Sequence, residues 1–130
     1  MRLYLVDGSN AVRRGNYDPR FPEMDEARHE EFLDRITRAA EPLDGGITIE
    51  IFFDGPRRET FPVDSPVRVR FSIDGNADDA IIDAVRYRIR SGKGVVVVTG
   101  DNGLAQAVRE EGATVIRASA FESRLRQRRA

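Results

Sequence analysis

With 130 residues and 40% apolar content, the chain is long enough to bury a core as one domain, and no stretch nears the ~20 apolar residues of a membrane-spanning helix. It contains no cysteine, which excludes disulfides and thiolate metal sites and fits a reducing cytoplasm. The formal net charge of −1 conceals an Arg-rich balance, since every basic residue except Lys93 is arginine, the residue suited to planar, bidentate phosphate recognition.

The N-terminus enters a strand pattern at once, with no signal-peptide architecture, so a cytoplasmic location is expected. Residues 2–6 (RLYLV) read as a short apolar strand ending at Asp7-Gly8, with Gly8 permitting a tight exit, and a loop containing Gly15, Pro19 and Pro22 comes next. Across 24–41, Phe32, Leu33, Ile36, Ala39 and Ala40 recur at helical spacing, and Asp44-Gly45-Gly46 is a stop signal. The one histidine, His29, lies in the charged run EARHEEF and is expected on the solvated face, which sets histidine-based zinc chemistry aside. Residues 47–53 (ITIEIFF) form a second strand, almost continuously apolar at its end as a central parallel strand requires.

The three prolines of 55–66 make that stretch a loop. Residues 67–73 then alternate, with Val67, Val69, Phe71 and Ile73 on one face and Arg68, Arg70 and Ser72 on the other, the pattern of a strand near a sheet edge. A helix over 77–90, a buried strand at 95–98, a helix over 103–111, a strand at 113–116 and a helix over 119–128 complete the chain. The order predicts an α/β fold of three layers, a mostly parallel sheet of about five strands with helices on both faces. Residues 1–130 are read as a single domain whose residues 124–130 form an Arg-rich tail.

Carboxylates recur where strands end and helices begin. They stand in LYLVDGSN (Asp7), IEIFFDG (Asp54), IDGNADDA (Asp78 and Asp79) and VVVVTGDNG (Asp101), with Asp74 a weaker fifth. Taken alone, the Asp7 motif is equally consistent with turn chemistry, Asp54 is a weaker signal, and the Asp78-Asp79 pair is more often helix capping than catalysis. Ligands of an open parallel sheet, however, bind in the crevice beyond the carboxyl ends of its strands, so these residues are expected to meet. Two unit charges ~5 Å apart repel by roughly 3 kcal/mol at an effective dielectric of about 20, which a cation would relieve. With only oxygen ligands on offer, that ion is expected to be Mg2+ or Mn2+, and the matching reaction is metal-assisted attack of water on a phosphodiester.

Other chemistries lack their parts. The chain has no GxxxxGK[ST] loop, no GxGxxG opening the first helix, and no histidine placed to serve Ser9 or Ser119 as a triad base. An aspartyl-phosphate route through Asp7 would lack the second aspartate two residues on, because position 9 is serine.

Together, VDGSNAVRRG, FFDG, NADDAIIDAV and VVVVTGDNGLAQAVREEGATVI resemble the NYN division of PIN-like nucleases, most closely its YacP-like branch, from residue 3 to about 125. The resemblance implies a Rossmann-like (PIN-like) parallel sheet, a Mg2+- or Mn2+-dependent acidic site and cleavage of RNA. It matches Asp7 to the acidic residue closing the first strand, Asn10 to the asparagine of the (Y/S)N signature, Asp78 to the AD motif and Asp101 to the acidic residue after the fourth strand. Asp54 falls where relatives are often acidic and Asp79 where they vary, while Gly100 replaces the common serine.

The expectation is thus a metal-dependent endoribonuclease. Asp7, Asp78 and Asp101 would be its principal ligands, Asp54 and Asp79 would assist, and Asn10 would orient Asp7 or the scissile phosphate. Arg13, Arg14, Arg57, Arg58, Arg124 and Arg126 are candidates for gripping RNA, for which single strands are the expected form. The ribosome as a partner and the oligomeric state are left open. The alternatives are a non-catalytic RNA- or ribosome-binding module on the same fold and a small-molecule phosphatase using Asp7.

Overall fold

The computed structural model describes residues 2–13, 20, 22–41, 46–54, 67–72 and 76–128, with the side chains of Arg13, Pro22, Asp25, Glu26 and Arg128 outside that description. Runs of β-branched and aromatic residues give β1 (Arg2–Asp7), β2 (Ile47–Asp54), β3 (Val67–Ser72), β4 (Val96–Val98) and β5 (Thr114–Ile116). All four pairings are parallel, and the sheet order is β3-β2-β1-β4-β5. From Leu3 to Asp7, β1 is buried at every residue, as a central strand covered on both faces must be. The alternating strand β3 lies at the sheet edge, with Arg68 and Arg70 exposed, as its pattern predicts.

Helices cover both faces: α1 (Gly8–Arg13), α2 (Pro22–Ala40) and α5 (Ala118–Arg128) on one, α3 (Ala77–Arg90) and α4 (Asn102–Glu110) on the other. Against the first face pack Phe32, Ile36, Phe53, Phe121 and Leu125, with the Tyr4 and Phe121 rings 4.9 Å apart. Against the second pack Leu5, Phe52, Ile81, Val85, Leu104 and Val108. Among the described residues no helix is long and apolar enough to cross a membrane.

Several sequence expectations need correcting. Asp7 is succeeded at once by helix α1 and not by a loop. Gly, Ser and Asn are weak helix formers, and packing of Val12 into the core overrides their propensity. His29 is buried and not solvated, its ring 4.9 Å from that of Phe53. It extends the Phe32–Leu33–Ile36–Ala40 stripe of α2 back by one turn. Of the Arg-rich terminus, residues 124–128 are the last turns of α5, and Leu125 there lies in the core. The loop expected at 55–66, the residues Gly15, Pro19 and Asp44, and Ile73 and Asp74 lie outside the described residues.

Gly8 is needed for space more than for backbone freedom, since among the described residues only Gly92 and Gly112 have positive φ. A Cβ at position 8 would stand 2.5 Å from Phe53 Cε1 and 2.8 Å from Ile51 Cγ2. Phe53 cannot easily yield, held between the rings of His29 and Phe71. Gly8→Ala is therefore expected to destabilise the protein by about 1–3 kcal/mol, the usual range for overpacking, read as a lower urea midpoint. An unchanged midpoint would show that α1 can move away from β2 at no cost.

Candidate functional site

The chain runs from β1 outward to β2 and β3, then returns to the other side of β1 for β4 and β5. The strand order therefore reverses between β1 and β4, and the crevice beyond their carboxyl ends is where an open α/β sheet takes its ligand. Asp7 ends β1 there. The β1–β4 register pairs Val6 with Val98, which sets Asp7 beside Thr99.

Asp7 is 3% exposed. Its Oδ2 accepts a hydrogen bond from Thr99 Oγ1 at 2.9 Å, and its Oδ1 one from the Asn10 backbone N–H at 3.3 Å. Burial pushes the Asp7 carboxyl from the ordinary 3.8 up to about 6; the Thr99 and Asn10 bonds oppose that rise, and the charges of Asp78 and Asp54 add to it. Thr99, itself buried, also accepts from the Asp101 backbone N–H at 3.1 Å, so one hydroxyl joins two carboxylate segments.

Helix starts and strand ends place the other carboxylates. Asp101 is the N-cap of α4, with Oδ1 accepting from Leu104 N–H at 2.9 Å. The N-cap of α3 is Asn76, whose Oδ1 accepts from Asp79 N–H at 2.8 Å. Asp78 and Asp79 are thus released from capping and stand in the first turn of α3, Asp79 exposed and Asp78 half-buried. Asp54, at the end of β2, accepts from Ala77 N–H at 2.6 Å, while its own N–H donates to Ser9 Oγ at 2.9 Å. The Asp78 carboxyl is raised by burial first, then by the charges of Asp101, Asp54 and Asp79. Asn10 Oδ1 accepts from Gly100 N–H at 2.8 Å. A Cβ at position 100 would stand 3.1 Å from that oxygen, so glycine lets the two approach.

The structure thus brings Asp7, Asn10, Asp54, Asp78, Asp79 and Asp101 to one rim. The carboxylates feel one another's charge, yet among the described residues no three Asp, Glu, His or Cys side chains come together as a ready-made metal cage. The donor chemistry fits Mg2+ or Mn2+ all the same. Every donor is an oxygen, and Mg2+ characteristically takes one or two carboxylates and completes its shell with water and substrate oxygens. Burial first, and neighbouring negative charge after it, raise the Asp7 and Asp78 carboxyls, and such an ion would relieve the second of these.

Of the arginines expected to grip RNA, only Arg124 and Arg126 have described side chains. Arg14, Arg57 and Arg58 lie outside the described residues, and Arg13 is described in its backbone alone. Arg124 and Arg126 are exposed on α5, which starts beyond the carboxyl end of β5 and runs back along the sheet. At 1.5 Å per residue they sit about 9 and 12 Å along that helix, away from the rim. Sequence reasoning gives no role to Thr99 and weighs Ser9 as a nucleophile that lacks a histidine base. Position is the available signal for Thr99, a hydroxyl directly after a fully apolar strand.

The profile of the YacP-like NYN domain family matches residues 4–130. Two solved structures share the fold: Rae1 (YacP) from Bacillus subtilis, at 19% identity and TM-score 0.72 over 98% of this chain and 77% of that one, and a mutant of it at 19% identity and TM-score 0.68 over 98% and 79%. No curated protein sequence matches the chain.

Because the folded state raises the Asp7 carboxyl, this group favours folding below about pH 4, and that contribution is lost as pH rises through about 6. Asp7→Asn removes the titration. In chelator, its stability relative to wild type is expected to climb by about 2–3 kcal/mol between pH 4 and pH 8, measured by urea unfolding. A difference independent of pH would remove the burden assigned to Asp7.

Proposed function

The chain belongs to the YacP-like NYN domain family, and we propose that it is a metal-dependent endoribonuclease acting on single-stranded RNA at the rim beyond β1 and β4. The observation that carries this reading is the buried Asp7, kept at the topological switch point and facing further carboxylates although the fold is strained electrostatically by it. A group that costs stability where ligands bind is a functional candidate.

Asp7, Asp78 and Asp101 would hold Mg2+ or Mn2+, with Asp54 and Asp79 contributing directly or through water. When bound, the ion supplies a more acidic water and neutralises charge developing on the phosphoryl oxygens. Thr99 and the Asn10 backbone N–H fix the Asp7 carboxylate in one orientation. Because Asn10 turns its amide oxygen to Gly100, its NH2 is the end left to donate to a phosphate oxygen. Among the arginines, Arg13 comes after Asn10 within α1 and is the described candidate nearest the rim in sequence.

The site is tested by cleavage of a labelled single-stranded RNA in Mn2+ or Mg2+, with a chelator control. Asp7→Asn and Asp101→Asn are expected to abolish cleavage while the fold stays intact, Asn being as good an N-cap as Asp at position 101. Full activity in either variant sinks the assignment. Thr99→Val, which removes the hydroxyl orienting Asp7, is expected to lower the rate about 10- to 100-fold, the usual cost of losing a group that orients a metal ligand.

The second reading, a non-catalytic RNA- or ribosome-binding module, draws on the open spacing of the carboxylates. RNA bound but left uncut in every metal would favour it, and a trapped phospho-enzyme would favour the phosphatase. If arginines grip the backbone, log K is expected to fall by ~0.7 per contacted phosphate for each decade of salt. A flat salt response would take them out of the interface.

A further inference from the structure

Helices α3 and α4 do not cover the whole of their sheet face. Below the rim, between α3 and the β2–β3 edge, lies an open groove of about 670 Å3. Its floor is apolar, formed by Leu3 and Phe52, and Ala80 and Ala84 on α3 are small enough to keep it open. One end meets the rim, because Ser72 pairs in register with Asp54 and Ala80 stands next to Asp79. The other end is about 10 Å further down α3, seven residues at the helical rise, where Tyr87 lines the groove although it is 73% exposed.

The polar lining is mixed. Glu50 and Asp83 contribute carboxylates, which disfavour a bare phosphate, and Arg70 is already engaged by Glu50 at 3.2 Å. Arg88 is different. It adds a cation to the groove wall, and its Nε, closed to solvent, has no hydrogen-bond partner among the described residues. The occupant must therefore bring an acceptor for Arg88, tolerate or use neighbouring carboxylates, and offer a flat apolar face to Tyr87 and the alanines.

The geometry points to an unpaired nucleobase. A base carries ring-nitrogen or carbonyl acceptors, N–H donors and a π-face together in one plane, and the volume lies within the range of small-ligand pockets. Resting on the proposal that the rim acts on single-stranded RNA, the groove is a base-binding subsite for a nucleotide beside the scissile phosphate. Tyr87 is its stacking platform, and the Arg88 guanidinium donates to the base.

The test uses isotope-labelled full chain in chelator, titrated with single-stranded tetraribonucleotides and with a tetramer of the same backbone lacking its bases. Amide shifts at Ser72, Ala84, Tyr87 and Arg88 are expected with the former and not with the latter. Tyr87→Ala, at an exposed position, is expected to bind roughly tenfold more weakly, in line with the loss of one stacked base, at an unchanged melting temperature. Shifts confined to the rim, equal binding of the base-free tetramer, or full affinity in Tyr87→Ala would overturn the subsite. So would groove shifts that track protein concentration alone, which would mark contact with a second copy. Cleavage in Mn2+ separates the two proposals. RNA cut by a protein with a silent groove removes only the subsite, whereas bases bound with no RNA cut removes only the nuclease, and silence in both removes both.

Discussion

The hydrogen bond from Thr99 to Asp7 is the contact on which the site depends. It joins the ends of the two strands between which the sheet order reverses, and it does so in a place closed to water. Burial alone would favour a protonated Asp7, and the bonds from Thr99 and Asn10 partly resist that. The same hydroxyl receives the Asp101 N–H, so the start of α4 is registered against β1 through one oxygen. A second chain of bonds does the same on the other side. Ser9 receives the N–H of Asp54, and Asp54 receives the N–H of Ala77 at the start of α3. Short polar side chains thus position four segments distant in sequence, β1 and β4 through the Thr99 hydroxyl on Asp7 and the others through backbone N–H groups.

This scheme explains which features are legible in the sequence. The strands and the buried faces of α3 and α4 come from apolar period, a local property, and the carboxylates at strand ends can be read because parallel topology brings those ends together. The identity of the positioning residues cannot be read in the same way. Ser9, Thr99 and Asn76 resemble ordinary turn residues until the partner N–H is known, and the Thr99–Asp7 bond spans 92 positions. The helix α1 is hidden for a related reason, its residues being poor helix formers held by packing and by the tight passage of Gly8 over Ile51 and Phe53. His29 misleads because its charged neighbours dominate the local pattern, whereas its environment is set by Phe53 on another element.

Helix α3 links the rim to the rest of the molecule. Ala77, Ile81 and Val85 bury one stripe against the sheet, which fixes the direction in which its first turn faces. Asn76 takes the capping duty, so Asp78 and Asp79 need not. Had either carboxylate been the cap, its oxygen would have been spent on a backbone N–H and drawn toward the helix axis. One residue outside the helix therefore spares two carboxylates inside it from capping.

The other side of the same helix obeys a different constraint. Ala80 and Ala84 lie one turn apart and face a part of the sheet where β2 and β3 carry Glu50 and Arg70 in place of apolar residues. Larger side chains at 80 and 84 would close the space, but they would then have to bury the Glu50–Arg70 pair, and burying an ion pair costs several kcal/mol per charge before its attraction is counted. Small residues on the helix and charged residues on β2 and β3 are therefore two halves of one arrangement, which keeps a channel open beside the carboxylates. Since Ala77, Ile81 and Val85 anchor the helix on the sheet, the channel and the rim hold a fixed relation to each other.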